Sequence, residues 1–307
     1  MNRRTFIASS STAFLGSMLL RTPGSFADTG SLAVRATAGG PLVTPNGKFF
    51  VYSQMRNPAK LPSTIDIDGL VNSPSRFSLD DLAKIPPVKK LLTLECFVNT
   101  AGGPLIFTTP FEGAPLSVLL DKAGVKPEAK SARVECADGH PPFMLPLSEL
   151  QRPQTMLVAK FGDAPVPLQH GSPYTRLFIP GAGGNHQPKW VNRITLIAAE
   201  APAHNSPPMA GFLSPPPPEV VGSMTGIILT GYAFSGPEPV GKVELSTDNG
   251  KTYQAMPLPP QADPDIWITW EVTWRPPEPG FYVLRVKATS AGGRKQDIPG
   301  VTAVEVR

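Results

Sequence analysis

Of the residues in this chain best suited to chemistry, Cys96 stands out by its surroundings. It lies near the end of the β-rich run Lys90–Val98 (KLLTLECFV), and Asn99 and the loop Thr100-Ala101-Gly102-Gly103 follow. A strand that delivers a thiolate to a loop where backbone can approach a ligand closely sets up a site for a soft metal centre. Taken alone, such a cysteine also reads as a small buried hydrophobe, and Cys96 and Cys136 also read as a disulfide pair once outside the cytoplasm. Downstream, His170 in Gln169-His170-Gly171, with Arg176, His186 and Lys189, flanks a loop rich in glycine and polar side chains. By themselves His170 reads as a turn-fixing residue, and Arg176 and Lys189 as solvated surface charges. No Cys-x-x-Cys-His and no Gly-x-Gly-x-x-Gly occurs, so the chain attaches no c-type haem and carries no dinucleotide fingerprint. Any electrons it handles go to a separate carrier.

The elements that must position these residues are mostly strands. Thirty-eight prolines disfavour long helices. Residues 64–70 (TIDIDGL) alternate as a half-buried strand does, and Ser78 caps a short helix that begins Leu79-Asp80-Asp81-Leu82. Residues 113–124 (GAPLSVLLDKAG) carry apolar side chains at helical spacing and stop at a glycine, which predicts an amphipathic helix. Residues 132–136, 155–161, 175–179 and 190–198 are further strand candidates. From Ala201 the stretch APAHNSPPMAGFLSPPPPE has the composition of a linker. Beyond it, alternating runs at 227–233, 240–246, 267–274 and 280–288, separated by turn residues, predict a β-sandwich of roughly 100 residues. On a regular strand Trp270 and Trp274 share one face and Trp267 takes the other, so the three predict core packing rather than one binding patch.

The first 27 residues read as a leader: Arg3 and Arg4, a mildly apolar stretch to Leu20, then Ser25-Phe26-Ala27. The arginine pair resembles the twin-arginine export signal, which implies a periplasmic location; an ordinary secretory leader is the other reading. No stretch approaches the ~20 apolar residues of a spanning helix. Without the leader, 25 basic residues face 24 acidic ones. That near-neutral balance, with no Lys/Arg run, excludes a nucleic-acid footprint.

Around Cys96 the motif Glu95-Cys96-Phe97-Val98-Asn99 resembles the sulfite oxidase family, which carries Glu/Gln-Cys-x-x-Asn at such a strand end. Asn46-Gly47-Lys48-Phe49-Phe50, FEGAPLSVLLDKAGVKP, ARVECADGH, PLQHGSPYTRLFIPG and KWVNRITL are similar to its first domain. The run GYAFSG, with VELSTDNGKTY and WITWEVTW, is similar to its Ig-like dimerisation domain. The resemblance implies an α+β, mostly β fold: a leader over 1–27, a molybdopterin-binding domain over 28–204 and an Ig-like β-sandwich over 205–307, with a homodimer through the latter. It implies a molybdenum–molybdopterin cofactor with Cys96 as metal ligand and Asn99, His170, Arg176, His186 and Lys189 as cofactor contacts. It further implies oxygen-atom or two-electron transfer at a small sulfur- or nitrogen-containing substrate, with electrons exchanged with a c-type cytochrome or another external carrier.

Three departures bear on the substrate. Tyr52 stands where the family has an arginine facing the substrate anion, and Arg56 is the nearest arginine. The family's tyrosine beyond the Lys-Trp strand has no counterpart; His204 and Asn205 are the polar residues there, readable equally as linker. Phe97 and Val98 replace small residues beside the cysteine. Tyr52, Arg56 and His204 are therefore the substrate-side candidates, and sulfite is one substrate among several. A different class of reading is a binding or assembly protein that keeps the fold without turnover.

Overall fold

The computed structural model describes residues 31–33, 43–51, 57–214, 219–221 and 226–307. The leader, Tyr52 and Arg56 lie outside the described residues. The architecture is α+β and mostly β, with four sheets among the described residues and helices of at most eight residues.

Two five-stranded sheets build the N-terminal region. In one, Val88–Glu95, Ile106–Pro115, Met156–Phe161 and Arg176–Phe178 lie side by side and antiparallel, with Ala164–Pro165 added on Met156–Phe161. In the other the order is Ser75–Ser78, Thr64–Gly69, Val191–Ile197, Ser131–Cys136 and Phe143–Pro146, with Thr64–Gly69 parallel to Val191–Ile197. Side chains alternate along a strand, so a sheet covered on both faces reads as a continuous apolar run. Met156-Leu157-Val158 shows this. Leu157 packs into the core shared with Ile65, Ile67 and the helix residues Leu116, Leu119 and Leu120. Met156 and Val158 face the opposite way, into an aromatic cluster of Phe107, Phe111, Phe161 and Phe178 beneath Phe49 and Phe50. The helix expected over 113–124 spans Leu116–Ala123, because Gly113-Ala114-Pro115 still pair with Met156, Leu157 and Val158. Ser78 caps the short helix Leu79–Ala83 through a reciprocal bond with Asp81, as the sequence predicts.

The C-terminal region is a sandwich. One sheet is Ser31–Ala33, Ile268–Arg275, Ile227–Phe234 and Met209–Ser214; the other is Glu219–Val221, Gly300–Val306, Gly280–Ser290, Val240–Ser246 and Gln254–Met256. Trp270 and Trp274 are buried between them with Leu229, Leu245, Tyr282 and Leu284. Trp267 lies on the other side, 5.2 Å from the Tyr232 ring, in a cluster with Met209 and Phe234 that meets Ala101 and Ile106 of the N-terminal region. The strand that ends at Cys96 is also tied to this region. Thr93 N–H donates to the Asp265 carbonyl (3.0 Å), Trp267 N–H donates to Thr93 Oγ1 (3.0 Å), and Lys90 Nζ lies 2.9 Å from Asp263.

Part of the presumed linker is structured: Met209–Ser214 and Glu219–Val221 are strands. Ahead of them, Gly183 N–H donates to the His204 carbonyl (3.2 Å) and Ser206 N–H to the Gly181 carbonyl (2.9 Å). Residues 204–206 are thus laced to the glycine-rich loop.

Candidate cofactor site at the end of the cysteine strand

Cys96 is a free cysteine, 6% exposed, just past the last paired residue of Val88–Glu95. Its N–H donates to the Leu105 carbonyl, and its carbonyl accepts the Asn99 N–H, both at 2.9 Å, so strand and loop close as a turn. Burial pushes the Cys96 thiol up, and Glu95 adds to this; the N–H groups of Val98 and Phe97 and the Lys189 ammonium pull it back. A thiol so placed ionises readily once a cation arrives to neutralise it. Cys136, also free, is pushed up to about 12 by burial and by Asp138.

The loop Gly181–Gln187 packs directly behind Cys96. A Cβ on Gly184 would lie 2.9 Å from the Glu95 carbonyl oxygen and 3.2 Å from the Cys96 Cα, so only glycine allows this approach. Gln187, 3% exposed, staples the loop: its Oε1 accepts the Ile179 N–H (2.7 Å), and its Nε2 donates to the carbonyls of Ile179 (2.6 Å) and Ala182 (3.0 Å).

His170, Arg176 and Lys189 converge around Gly171, whose φ of 114° strains any side chain; a Cβ there would lie 3.1 Å from that of Arg176 and 3.3 Å from that of Lys189. Arg176 is 3% exposed, and its Nη1 donates to the His170 carbonyl at 3.0 Å. Its Nε is buried without a partner, and no carboxylate among the described residues forms an ion pair with it. Burial alone lowers its guanidinium to about 10. The His170 ring meets Phe161 and Phe107 edge-on, its Nε2 is buried and unpartnered, and burial with Arg176 and Lys189 lowers it to about 3. Lys189 is half-buried, donates to the Gln169 carbonyl (2.9 Å), sits 5.1 Å over Trp190, and is lowered to about 8, chiefly by burial and then by Arg176. A cavity of about 180 Å³ lined by Asn46, Phe49, Phe161 and Pro167 opens beside His170.

His186 and His204 stack face to face, centroids 3.6 Å apart, against Glu149, which is 1% exposed. Burial and the His204 ring lower His186 to about 4. Asn99 is held within the protein: its Oδ1 accepts the Leu105 N–H (3.0 Å), and its amide faces Tyr232 (3.5 Å) and the Met209 sulfur (3.6 Å). The reading of residue types alone missed Gln187 and Glu149. Gln187 carried a signal, as a polar side chain inside a glycine-rich loop; Glu149 carried none.

The donor set fits a cofactor that joins soft metal chemistry to a phosphate. It provides one thiol, a buried guanidinium without a counter-charge, an ammonium, an orphaned imidazole nitrogen and a backbone wall of glycine. Among the described residues no group of three or more His, Cys, Asp or Glu converges as a metal cage.

Comparison with known proteins bears on the stretch that carries this site. Residues 57–205 match the oxidoreductase molybdopterin binding domain, so this part of the chain is a molybdopterin-binding domain. Sulfite oxidases and nitrate reductases are among the proteins it is similar to. The mitochondrial sulfite oxidase of Rattus norvegicus is 26% identical over 270 residues, covering 70% of this chain and 49% of that protein. Nitrate reductase (NADH) 2 of Nicotiana tabacum is 24% identical, over 68% of this chain and 31% of its own. The chain spans about half the length of the sulfite oxidase it matches. The crystal structure of the sulfane dehydrogenase SoxCD from Paracoccus pantotrophus shares the fold, with a TM-score of 0.69 and 24% identity over 91% of this chain and 79% of that one. No helix among the described residues is long and apolar enough to cross a membrane.

Proposed function

We propose that this chain is an exported, periplasmic molybdenum–molybdopterin oxidoreductase acting on a small sulfur- or nitrogen-containing substrate. The observation that carries the reading is a buried free thiol within the field of the Lys189 ammonium, which meets the buried, uncompensated Arg176 guanidinium around Gly171. Cys96 would ligate the metal, and the Lys189 ammonium favours its thiolate. Arg176 and Lys189 would hold the phosphate, and His170 and His186 would meet the pterin. When bound, this cofactor supplies two-electron redox chemistry; the protein contributes orientation and electrostatics. The low exposure of Cys96 keeps bulk water from the thiolate side. Tyr52 and Arg56 would border the substrate, and electrons would pass to an external carrier such as a c-type cytochrome. We assign residues 28–204 to the cofactor unit and 205–307 to an Ig-like unit through which two copies associate, with Ser31–Ala33 adding a strand to the latter.

The test is turnover. Mature protein from a molybdopterin-competent host is assayed with a cytochrome or dye partner against sulfite, sulfoxides and N-oxides, beside Cys96→Ala. Turnover that Cys96→Ala lowers by at least about a hundredfold supports the proposal, since losing a ligand should exceed the effect of losing an outer-shell partner. Metal-loaded, folded protein inert in both directions contradicts it and favours a binding or assembly role.

A further inference from the structure

His204 follows the cofactor-binding strands in a segment that reads as linker, yet the fold presses it between two functional groups. On one side is the buried carboxylate of Glu149. Its Oε1 accepts the His204 backbone N–H at 3.1 Å, and its Oε2, otherwise without a partner, lies 4.0 Å from His204 Nδ1. On the other side His186 stacks on the imidazole at 3.6 Å. The backbone fixes the same contact, because the His204 carbonyl accepts the Gly183 N–H and Asn205 bridges Ala182. Gly183 and Ala182 belong to the loop whose Gly184 rests on Cys96.

Two imidazoles face to face at this distance cannot both carry charge, and the carboxylate stands on one side only. Burial lowers His204 from the ordinary histidine value, and Glu149, the charged group whose field reaches it among the described residues, pulls it back up; the titratable group whose field reaches His186 is His204. Arg152, the cation nearest Glu149 in sequence, gives its guanidinium to the Pro180 carbonyl at 3.0 Å. We propose that Glu149 and His204 are positioning residues: any proton the stack takes up goes to His204, beside the carboxylate, so His186 meets the pterin as a fixed, uncharged imidazole. The role given to His186 rests on the cofactor reading; the proton placement does not. His186 would then hydrogen-bond to a heteroatom rather than neutralise phosphate, which leaves that task to Arg176 and Lys189.

The test is a histidine NMR titration of the purified full chain, in which four histidines are resolved by substitution, with molybdenum and pterin measured on the same samples. His204 is expected to titrate at least about one unit above His186. In Glu149→Gln, which keeps an acceptor for the His204 N–H, the His204 midpoint falls by about one unit and pterin content drops several-fold. Should that variant fail to fold, His204→Gln serves: His186 must then move up toward an ordinary histidine. His186 titrating at or above His204, or a Glu149→Gln protein unchanged in both readouts, overturns the proposal. Protein without pterin that keeps the titration order overturns the cofactor reading and the ligand role of His186 with it. Pterin-loaded protein in which His186 carries the proton overturns this inference alone.

Discussion

Two arginines, Arg176 in the edge strand Arg176–Phe178 of the N-terminal region and Arg294 at the junction with the sandwich, show how differently the two regions treat a cation. Arg294 donates to the carbonyls of Ser206 and Ser235, each at 2.9 Å, and its Nε lies 3.3 Å from Glu238. Arg176 is more deeply buried, bonds to one carbonyl and has no carboxylate among the described residues. A buried charge costs folding free energy unless something neutralises it. The protein supplies that neutralisation at Arg294, where the charge serves cohesion. At Arg176 it does not among the described residues; under the proposed function an anion from outside the chain would supply it, and its binding would return the stability.

The contrast is broken most sharply by replacing each arginine with methionine. Arg294→Met is expected to lower the unfolding free energy by about 2–3 kcal/mol, since two carbonyls and Glu238 lose their partner. Arg176→Met should leave the cofactor-free protein unchanged, or up to about 2 kcal/mol more stable, while its pterin content falls. Urea denaturation of both variants decides, and a larger loss at Arg176 would make it a structural residue.

Acid sharpens the comparison next, because all four histidines precede residue 205. His170 is held at about 3 when folded, against an ordinary value of 6.5. Between those values the unfolded chain binds a proton that the folded chain does not. This contribution is complete above about pH 6.5 and is lost as pH falls toward 3, at up to about 1.4 kcal/mol per unit. From pH 7 to 5 the cofactor-free protein should lose about 1–2 kcal/mol at this residue, and His170→Gln should flatten the slope. Hydrogen exchange should locate the opening in the N-terminal region.

The smallest expected effect lies at the junction. Tyr232 takes the Gly102 N–H at 3.2 Å and faces Asn99 at 3.5 Å, so its hydroxyl couples the sandwich to the loop after Cys96. Tyr232→Phe should cost about 1 kcal/mol and speed exchange of the Gly102 amide roughly tenfold, whereas the sandwich core should exchange as before.

Much of the sandwich was readable because its strands alternate regularly. Trp270 and Trp274 fall in the core and Trp267 at the junction, as two-residue periodicity requires. The stretch Ile106–Pro115 was not read as a strand, because Pro110 and Gly113 interrupt it and both its faces are covered. Strands Met209–Ser214 and Glu219–Val221 hid in proline-rich sequence, which is tolerated because each forms the edge of its sheet. At the site, the spacing of Cys96 and its glycine loop suggested a thiolate centre, and resemblance suggested the cations. The roles of Gln187 and Glu149 were illegible. Their partners are backbone groups and a histidine up to 55 residues away, contacts that exist only once the chain is folded.

Metal analysis with pterin assay tests most directly whether Cys96, Lys189 and the uncompensated Arg176 hold one cofactor. Signal-processed protein from a molybdopterin-competent host should hold about one molybdenum and one pterin per chain. Cys96→Ala should lose most of the metal, while Cys136→Ala should hold it as the parent does. Folded parent protein with neither metal nor pterin, or full metal in Cys96→Ala, would contradict the account.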